Sequence, residues 1–168
     1  DNVFIGRGAA GQAFAGQSDN NVAIGSVAMG AGGLNGAAAN VAVGFTSMTS
    51  LTSGDNNVAL GAYAGDAITT TSGTVSMGLG ALGAISTTGD YTIAIGYGAM
   101  GGAEIGEGNI AIGYQSMQNA NAAGLHRNVA IGYQTMANVG SNAPTDNVAI
   151  GYHALNDING SALGNVAI

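Results

Sequence analysis

The feature that most constrains the fold is a five-residue motif, Asn-Val-Ala-Ile-Gly or a close variant of it, which recurs along the whole chain. Successive copies start 17 to 19 residues apart. The ten copies start at residues 2, 21, 40, 57, 74, 92, 109, 128, 147 and 165. Self-similarity at a fixed period is typical of repeat proteins in which each unit stacks on the next. We therefore expect one repeat array over residues 1–168, and we expect it to be a fragment of a longer chain.

A second element follows each motif glycine, and in most copies it ends in Met or Leu. It reads SVAM at residues 26–29 and YQTM at residues 133–136. The stretch after it is rich in Gly, Asn, Ser, Thr and Asp and carries the variation in repeat length. Such residues favour turns, so each copy is predicted to consist of a strand, a bend and a polar loop.

The motif itself predicts a short β-strand. β-branched residues favour extended backbone, and the Val and Ile of the motif are two residues apart, so they share one face of the strand. We expect these two side chains, together with the Met or Leu of the second element, to fill the interior of a coil. The Ala between them is expected to face outward, where it leaves room for the close approach of another chain.

These elements predict an all-β fold, a parallel β-solenoid (β-roll) with about nine coils of 17–19 residues. A helix is excluded because the aliphatic residues recur with period two and glycine is frequent. A propeller blade needs about 40 residues, and a leucine-rich repeat needs a Leu-x-x-Leu-x-Leu pattern that this chain lacks. Each coil would advance by one strand spacing, about 4.8 Å.

Composition argues against several classes of function. The net charge is −7, and Arg7 and Arg127 are the only Lys or Arg residues. A nucleic-acid surface needs clustered Lys and Arg, so no nucleic-acid partner is expected. No apolar stretch of the sequence is long enough to cross a bilayer, so no membrane insertion is expected. The chain has no Cys and two His, so we expect no cofactor and no metal site.

A single coil offers few large apolar side chains, namely Val, Ile and one Met or Leu. Their burial must offset the entropy lost in ordering a whole coil. We therefore expect a homotrimer packed around an axis lined by the faces that carry Ala and Gly. A monomeric solenoid is the alternative.

The motif and its second element together resemble a known kind of repeat. NVAIGYQTM at residues 128–136 and NVAIGYHAL at residues 147–155 resemble the repeats of phage tail fibres and of the head domains of trimeric autotransporter adhesins. The coil length of 17–19 residues is closer to the tail-fibre type. The resemblance implies a trimeric β-roll, an extracellular position on a virion or a bacterial surface, and a role in attachment to a host or surface. Phage and bacterial owners both remain open.

The Asn that opens the motif forms one column of candidate residues. Stacked Asn side chains can hydrogen-bond along a ladder, and we predict such a structural ladder; a ligand-binding polar stripe is the alternative. Thr74 and Thr92 replace Asn in the middle of the column. The predicted ladder consists of Asn2, Asn21, Asn40, Asn57, Asn109, Asn128 and Asn147.

The residue after the motif glycine forms a second column, which is aromatic in the later copies. Phe45 and Leu79 precede the tyrosines in this column. Stacked Tyr rings form a packing or surface ladder, and they also offer a platform for sugar rings. The candidate glycan-contact ladder consists of Tyr97, Tyr114, Tyr133 and Tyr152.

These observations predict a structural shaft or adhesive segment of an extracellular or virion fibre, without enzymatic activity. Its expected partners are other copies of the chain and a host glycan or protein receptor. A glycan-binding or glycan-cleaving solenoid is one alternative, but Asp19, Asp55 and Asp90 fall on alternate copies rather than together. An ice- or crystal-binding face is another alternative. Such a face would need a regular column of Thr residues, whereas the Thr residues at 69–71 and 87–88 form only local runs.

Overall fold

The computed structural model describes residues 1–11, 16–83, 90–102, 106–119, 125–140, 144–157 and 163–168. Every copy of the motif contributes a short strand. The strands are β1 (Val3–Ile5), β2 (Val22–Ile24), β3 (Val41–Val43), β4 (Val58–Leu60), β5 (Val75–Met77), β6 (Ile93–Ile95), β7 (Ile110–Ile112), β8 (Val129–Ile131), β9 (Val148–Ile150) and β10 (Val166–Ala167). The described residues between the strands form turns, bends and irregular segments.

The ten strands form one parallel sheet in sequence order, from β1 to β10. Each strand pairs with the strand of the next copy, and equivalent motif residues lie opposite each other, as Ala111 lies opposite Ala130. The chain therefore advances by one strand spacing per copy. This arrangement confirms the predicted parallel β-solenoid of stacked coils.

The motif glycine makes the corner after each strand possible. The nine glycines that follow β1 to β9 have φ between 123° and 144°, a region that residues with a Cβ rarely adopt. Space is lacking as well, because a Cβ on Gly25 or Gly113 would collide with the carbonyl group of the motif glycine in the next coil. A column of glycines therefore determines both the bend and the close stacking of the coils at this corner.

The bend after the motif glycine alternates its hydrogen bonds between the two neighbouring coils. Gln115 and Met117 have positive φ values of 52° and 54°. The N–H of Gln115 donates to Tyr97 O of the preceding coil at 2.9 Å, and that of Met117 donates to Thr135 O of the next coil at 2.9 Å. Left-handed backbone is costly for residues other than glycine. Hydrogen bonds to both neighbouring coils offset that cost.

The face of each strand that points into the solenoid is not the one predicted from the sequence. The central residue of β2 to β9 is buried, whereas the residues on either side of it are partly or largely exposed. Ala149 is 0% exposed and Ile150 is 37% exposed. The prediction that Val and Ile fill the interior while Ala faces another chain is therefore wrong. Larger side chains from the rest of the coil already fill the interior, so the strand has room there for only a small side chain.

The Met or Leu column lies in the core, as predicted. Met29, Met48, Leu82, Met100, Met117 and Met136 are at most 1% exposed, and Leu155 packs against them while partly buried. The core also contains aliphatic residues from the polar loops, which the repeat pattern does not identify. These are Leu34, Leu51, Ile68, Leu125 and Val139.

Candidate functional site

The Asn column forms a hydrogen-bonded ladder along the solenoid. Where the next coil also carries Asn, the side-chain oxygen of one Asn accepts hydrogen bonds from the Asn one coil further on. Asn128 donates from its backbone N and its Nδ2 to Asn109 Oδ1, at 3.0 and 3.1 Å. Asn147 donates in the same way to Asn128 Oδ1, at 3.1 and 3.0 Å. The pattern also joins Asn2, Asn21 and Asn40 at one end and reaches Asn165 at the other.

The same Asn side chains attach the strands to the loops. Nδ2 of Asn21 donates to Ala37 O at 2.8 Å, and Nδ2 of Asn128 donates to Pro144 O at 2.9 Å. From Asn21 to Asn147 the Asn side chains of the column are 0% exposed. A stripe that is buried in this way is not accessible to a ligand, so the column is structural.

The ladder changes where Thr replaces Asn. Thr74 Oγ1 donates to Asn57 Oδ1 at 2.8 Å, so the first Thr still continues the ladder. Thr92 Oγ1 is buried and has no hydrogen-bond partner among the described residues. The two halves of the Asn column therefore meet at a weaker junction around β5 and β6.

The Tyr column forms an exposed stack on the outside of the solenoid. The rings of Tyr97 and Tyr114 lie 5.3 Å apart, those of Tyr114 and Tyr133 lie 4.9 Å apart, and those of Tyr133 and Tyr152 lie 5.5 Å apart. All three pairs are close to parallel, with interplanar angles of 8° to 16°. Each ring is between 41% and 76% exposed. The rings cover one another's faces, so the stack presents mainly ring edges to solvent, and the His153 ring stacks on Tyr152 at one end with centroids 4.2 Å apart.

The outward-facing residues of the strands form a continuous apolar surface, here called the aliphatic strip. It consists of the first and third residues of β1 to β9, all of which are Val, Ile, Leu or Met. It carries no charged or polar side chain and is roughly 38 Å long at about 4.8 Å per strand. A continuous apolar surface of this kind usually marks an interaction site.

The acidic residues singled out from the sequence do not converge on one site. Asp55 Oδ1 accepts a hydrogen bond from Ala38 N at 2.7 Å, and Asp90 Oδ1 accepts one from Ser72 N at 2.8 Å. Each of these two carboxylates therefore joins its own coil to the preceding one, and Asp19 is exposed. Asp146 pairs with Arg127 at 2.7 Å on the surface, and the bond from the guanidinium lowers the pKa of that carboxyl.

The Thr runs do not form a common face. Thr70 is exposed, whereas Thr71 is 2% exposed and lies in the interior. Residues 87–88 lie outside the described residues.

Within the part of the chain that the structure describes, no group of three or more His, Cys, Asp or Glu residues could hold a metal ion. The described residues also contain no helix long and apolar enough to cross a bilayer.

A cleft of about 430 Å³ interrupts the surface beside the start of the Tyr column. We call it the glycine cleft, because four glycines line it. These are Gly80, Gly83, Gly98 and Gly101. Tyr63, Leu79 and Tyr97 contribute apolar walls, and Asp66 and Gln118 contribute polar groups. The sequence interpretation missed this site, and the signal for it is glycine at the second position after the motif Gly in two successive copies.

Asp66 is the charged residue of the glycine cleft. Its Oδ1 atom is buried and has no hydrogen-bond partner among the described residues. Burial raises the pKa of the carboxyl, while hydrogen bonds from the backbone N–H groups of Ala67 and of Asp66 itself act in the opposite direction. Asp66 therefore contributes a partly buried carboxyl group to the wall of the cleft.

The fold defines the chain as a repeat protein of the parallel β-solenoid class. Comparison with protein-family models, with curated proteins and with solved structures finds no match.

Proposed function

We propose that this chain is a shaft segment of a homotrimeric extracellular fibre, on a virion or on a bacterial surface, which mediates attachment to a host or other surface. The observation that carries the proposal is the aliphatic strip along one side of the solenoid. No catalytic step is part of this function.

The aliphatic strip favours self-association over binding of an unrelated protein. It is long, narrow and parallel to the solenoid axis, and it repeats once per strand. A partner that covers it along its whole length needs the same length and the same axial repeat. Other copies of the chain have both properties, and symmetric association of identical subunits is the commonest form of assembly.

Burial of the strip would supply the stabilisation that a single coil lacks. Ile5 and Ile24 are 57% and 36% exposed in the single chain, and burial of apolar area contributes about 25 cal/mol per Å². The interface proposed here is the opposite face from the Ala-lined one expected from the sequence. The number of subunits comes from the resemblance of residues 128–136 and 147–155 to tail-fibre and adhesin repeats.

Light scattering on the purified chain tests the assembly. The proposal predicts one elongated species of three times the 16.2 kDa chain mass. Ile112→Glu places a charge in the middle of the strip, where burial of an unpaired carboxylate is costly. This variant should be monomeric at the same concentration, with an unchanged circular dichroism spectrum.

The matched control is Thr70→Glu, which adds the same charge at an exposed loop residue away from the strip. It should remain trimeric. A monomeric wild-type chain would contradict the proposal, and so would a folded Ile112→Glu variant that still forms trimers.

A further inference from the structure

The glycine cleft arises from two glycine columns that each span two coils. The second residue after the motif Gly is Tyr63 in the coil of β4, Gly80 and Gly98 in the next two coils, and Gln115 in the coil of β7. These positions stack, because the N–H of Gly80 donates to Ala62 O and that of Gly98 donates to Leu79 O, both at 3.0 Å. The missing side chains leave a gap in this column between Tyr63 and Gln115.

A parallel substitution three residues further along widens the gap. The fifth residue after the motif Gly is Asp66 in the coil of β4, Gly83 and Gly101 in the next two coils, and Gln118 in the coil of β7. The same two coils therefore lack side chains at both positions. Asp66 lies towards one end of the gap and Gln118 towards the other, and both line the cleft.

The walls of the glycine cleft combine aromatic rings with a few polar groups. Tyr63 and Tyr97 are 43% and 51% exposed, and Leu79 between them is 47% exposed. Tyr97 is the last ring of the Tyr stack on this side, and the next residue of its column is Leu79. A volume of about 430 Å³ lies within the range of small-molecule sites, roughly 300–1,000 Å³.

We propose that the glycine cleft binds a neutral saccharide. Tyr63 and Tyr97 provide faces for the apolar sides of sugar rings, because aromatic side chains combine a large apolar surface with a polar tip. Asp66 and Gln118 both line the cleft, where a carboxylate can accept a hydrogen bond from a sugar hydroxyl and an amide can donate to or accept from another.

Charge separates this ligand class from the alternatives. Neither Arg7 nor Arg127 lines the cleft, so an anionic ligand would meet the Asp66 carboxylate without a compensating cation. A calcium ion needs about six to eight oxygen ligands, and Asp66 is the single carboxylate among the described residues that line the cleft. A neutral, hydroxyl-rich ligand matches both the rings and the isolated acceptor.

The glycine cleft is lined by residues of one chain, so this inference goes beyond the fibre proposal and does not depend on the trimer. It also assigns glycan contact to a different place from the candidate Tyr ladder. Within that ladder the Tyr rings stack on one another, whereas Tyr63 and Tyr97 form walls of a cleft.

A glycan array of neutral oligosaccharides built from hexoses and N-acetylhexosamines tests the inference, followed by calorimetry with the strongest array glycan. Gly80→Gln fills the gap with the residue that the coil of β7 carries at this position. The variant should fold, because a Cβ on Gly80 meets no atom within 4 Å and its φ of 64° is close to the 52° of Gln115. It should weaken binding at least tenfold, and Asp66→Asn should also weaken it by removing the charged acceptor.

Tyr152→Ala is the matched control, since it removes an exposed ring at the far end of the Tyr stack. It should bind as the wild type does. Absence of binding to every array glycan would overturn the inference, as would binding that survives Gly80→Gln or is lost in Tyr152→Ala. Light scattering on the same samples keeps the two proposals apart: a sugar-binding monomer overturns only the trimer, and a trimer that binds no sugar overturns only the cleft.

Discussion

A single buried amide connects three segments of this protein. Oδ1 of Asn128 accepts a hydrogen bond from the backbone N–H of Asn147. Nδ2 of Asn128 donates to Asn109 Oδ1 and to Pro144 O. It thus links its own coil to both neighbours and to a loop. A buried polar group of this kind stabilises the fold only while its partners are present, because each partner is also removed from water.

Two substitutions of Asn128 distinguish the stability that comes from its hydrogen bonds from the stability that comes from the volume of its side chain. Asn128→Ala should lower the free energy of unfolding by about 3 kcal/mol, since it leaves buried donors and acceptors unpaired. Asn128→Thr should cost less, because Thr74 Oγ1 shows that a hydroxyl can donate to the Asn of the preceding coil. Urea denaturation at one fixed protein concentration measures both values, and equal losses for the two variants would argue against the ladder.

At the scale of the strand, the two faces have unequal room. The inner face of β2 to β9 packs against the Met or Leu column and the loop aliphatics, so it accepts Ala and, in β5, Ser76; in β1, at the end of the stack, it carries the partly buried Phe4. The outer face is only partly buried and carries the larger side chains, mostly Val and Ile. The same five residues would fit a strand with either face inward if the rest of the coil were ignored.

A pair of substitutions in β7 tests this assignment of faces. Ala111→Val adds methyl groups to a filled interior and should lower the free energy of unfolding by about 1–3 kcal/mol. Ile112→Val removes one methylene from the outer face and should change it by less than about 1 kcal/mol. Thermal denaturation of both variants decides the matter, and a larger loss for Ile112→Val would restore the orientation expected from the sequence.

At the scale of the whole molecule, the solenoid is nearly one-dimensional. Each strand contacts only the strands of the copies before and after it. Stability in such proteins is approximately a sum of terms from repeats and from the interfaces between neighbours. The weakest interface in the Asn ladder lies at Thr92, whose buried hydroxyl lacks a partner among the described residues.

Deletion of one complete copy should therefore leave a folded protein. Removal of residues 109–127 joins Gly108 to Asn128, so that Asn again follows the same glycine and the column stays in register. We expect a β-rich circular dichroism spectrum and a cooperative transition at a lower temperature than the wild type. Deletion of residues 109–117 removes half a coil, breaks the register and should unfold or aggregate; similar behaviour of the two deletions would contradict the stacked-coil arrangement.

Local chemistry is enough to predict the fold class and the ladders. The period of 17 to 19 residues, the strand in each copy and the glycine corner are all visible in the sequence, because extended backbone and tight bends depend on the residues that form them. The Asn and Met or Leu columns follow from the same period, since equivalent residues stack once the coils do.

Only the tertiary structure decided which face of the strand lies inside and where the surface opens into a cleft. Alternation along a strand defines two faces, but the room available to each depends on side chains many residues away, such as Leu51 from a loop and Met48 from the bend. The glycine cleft likewise requires Asp66, Gly80 and Gln118 to be brought together from separate coils. The repeat marks the two glycine columns, but it carries no local signal for which distant side chains surround them or fill the interior, and for that reason neither the interior nor the site could be derived from the repeat alone.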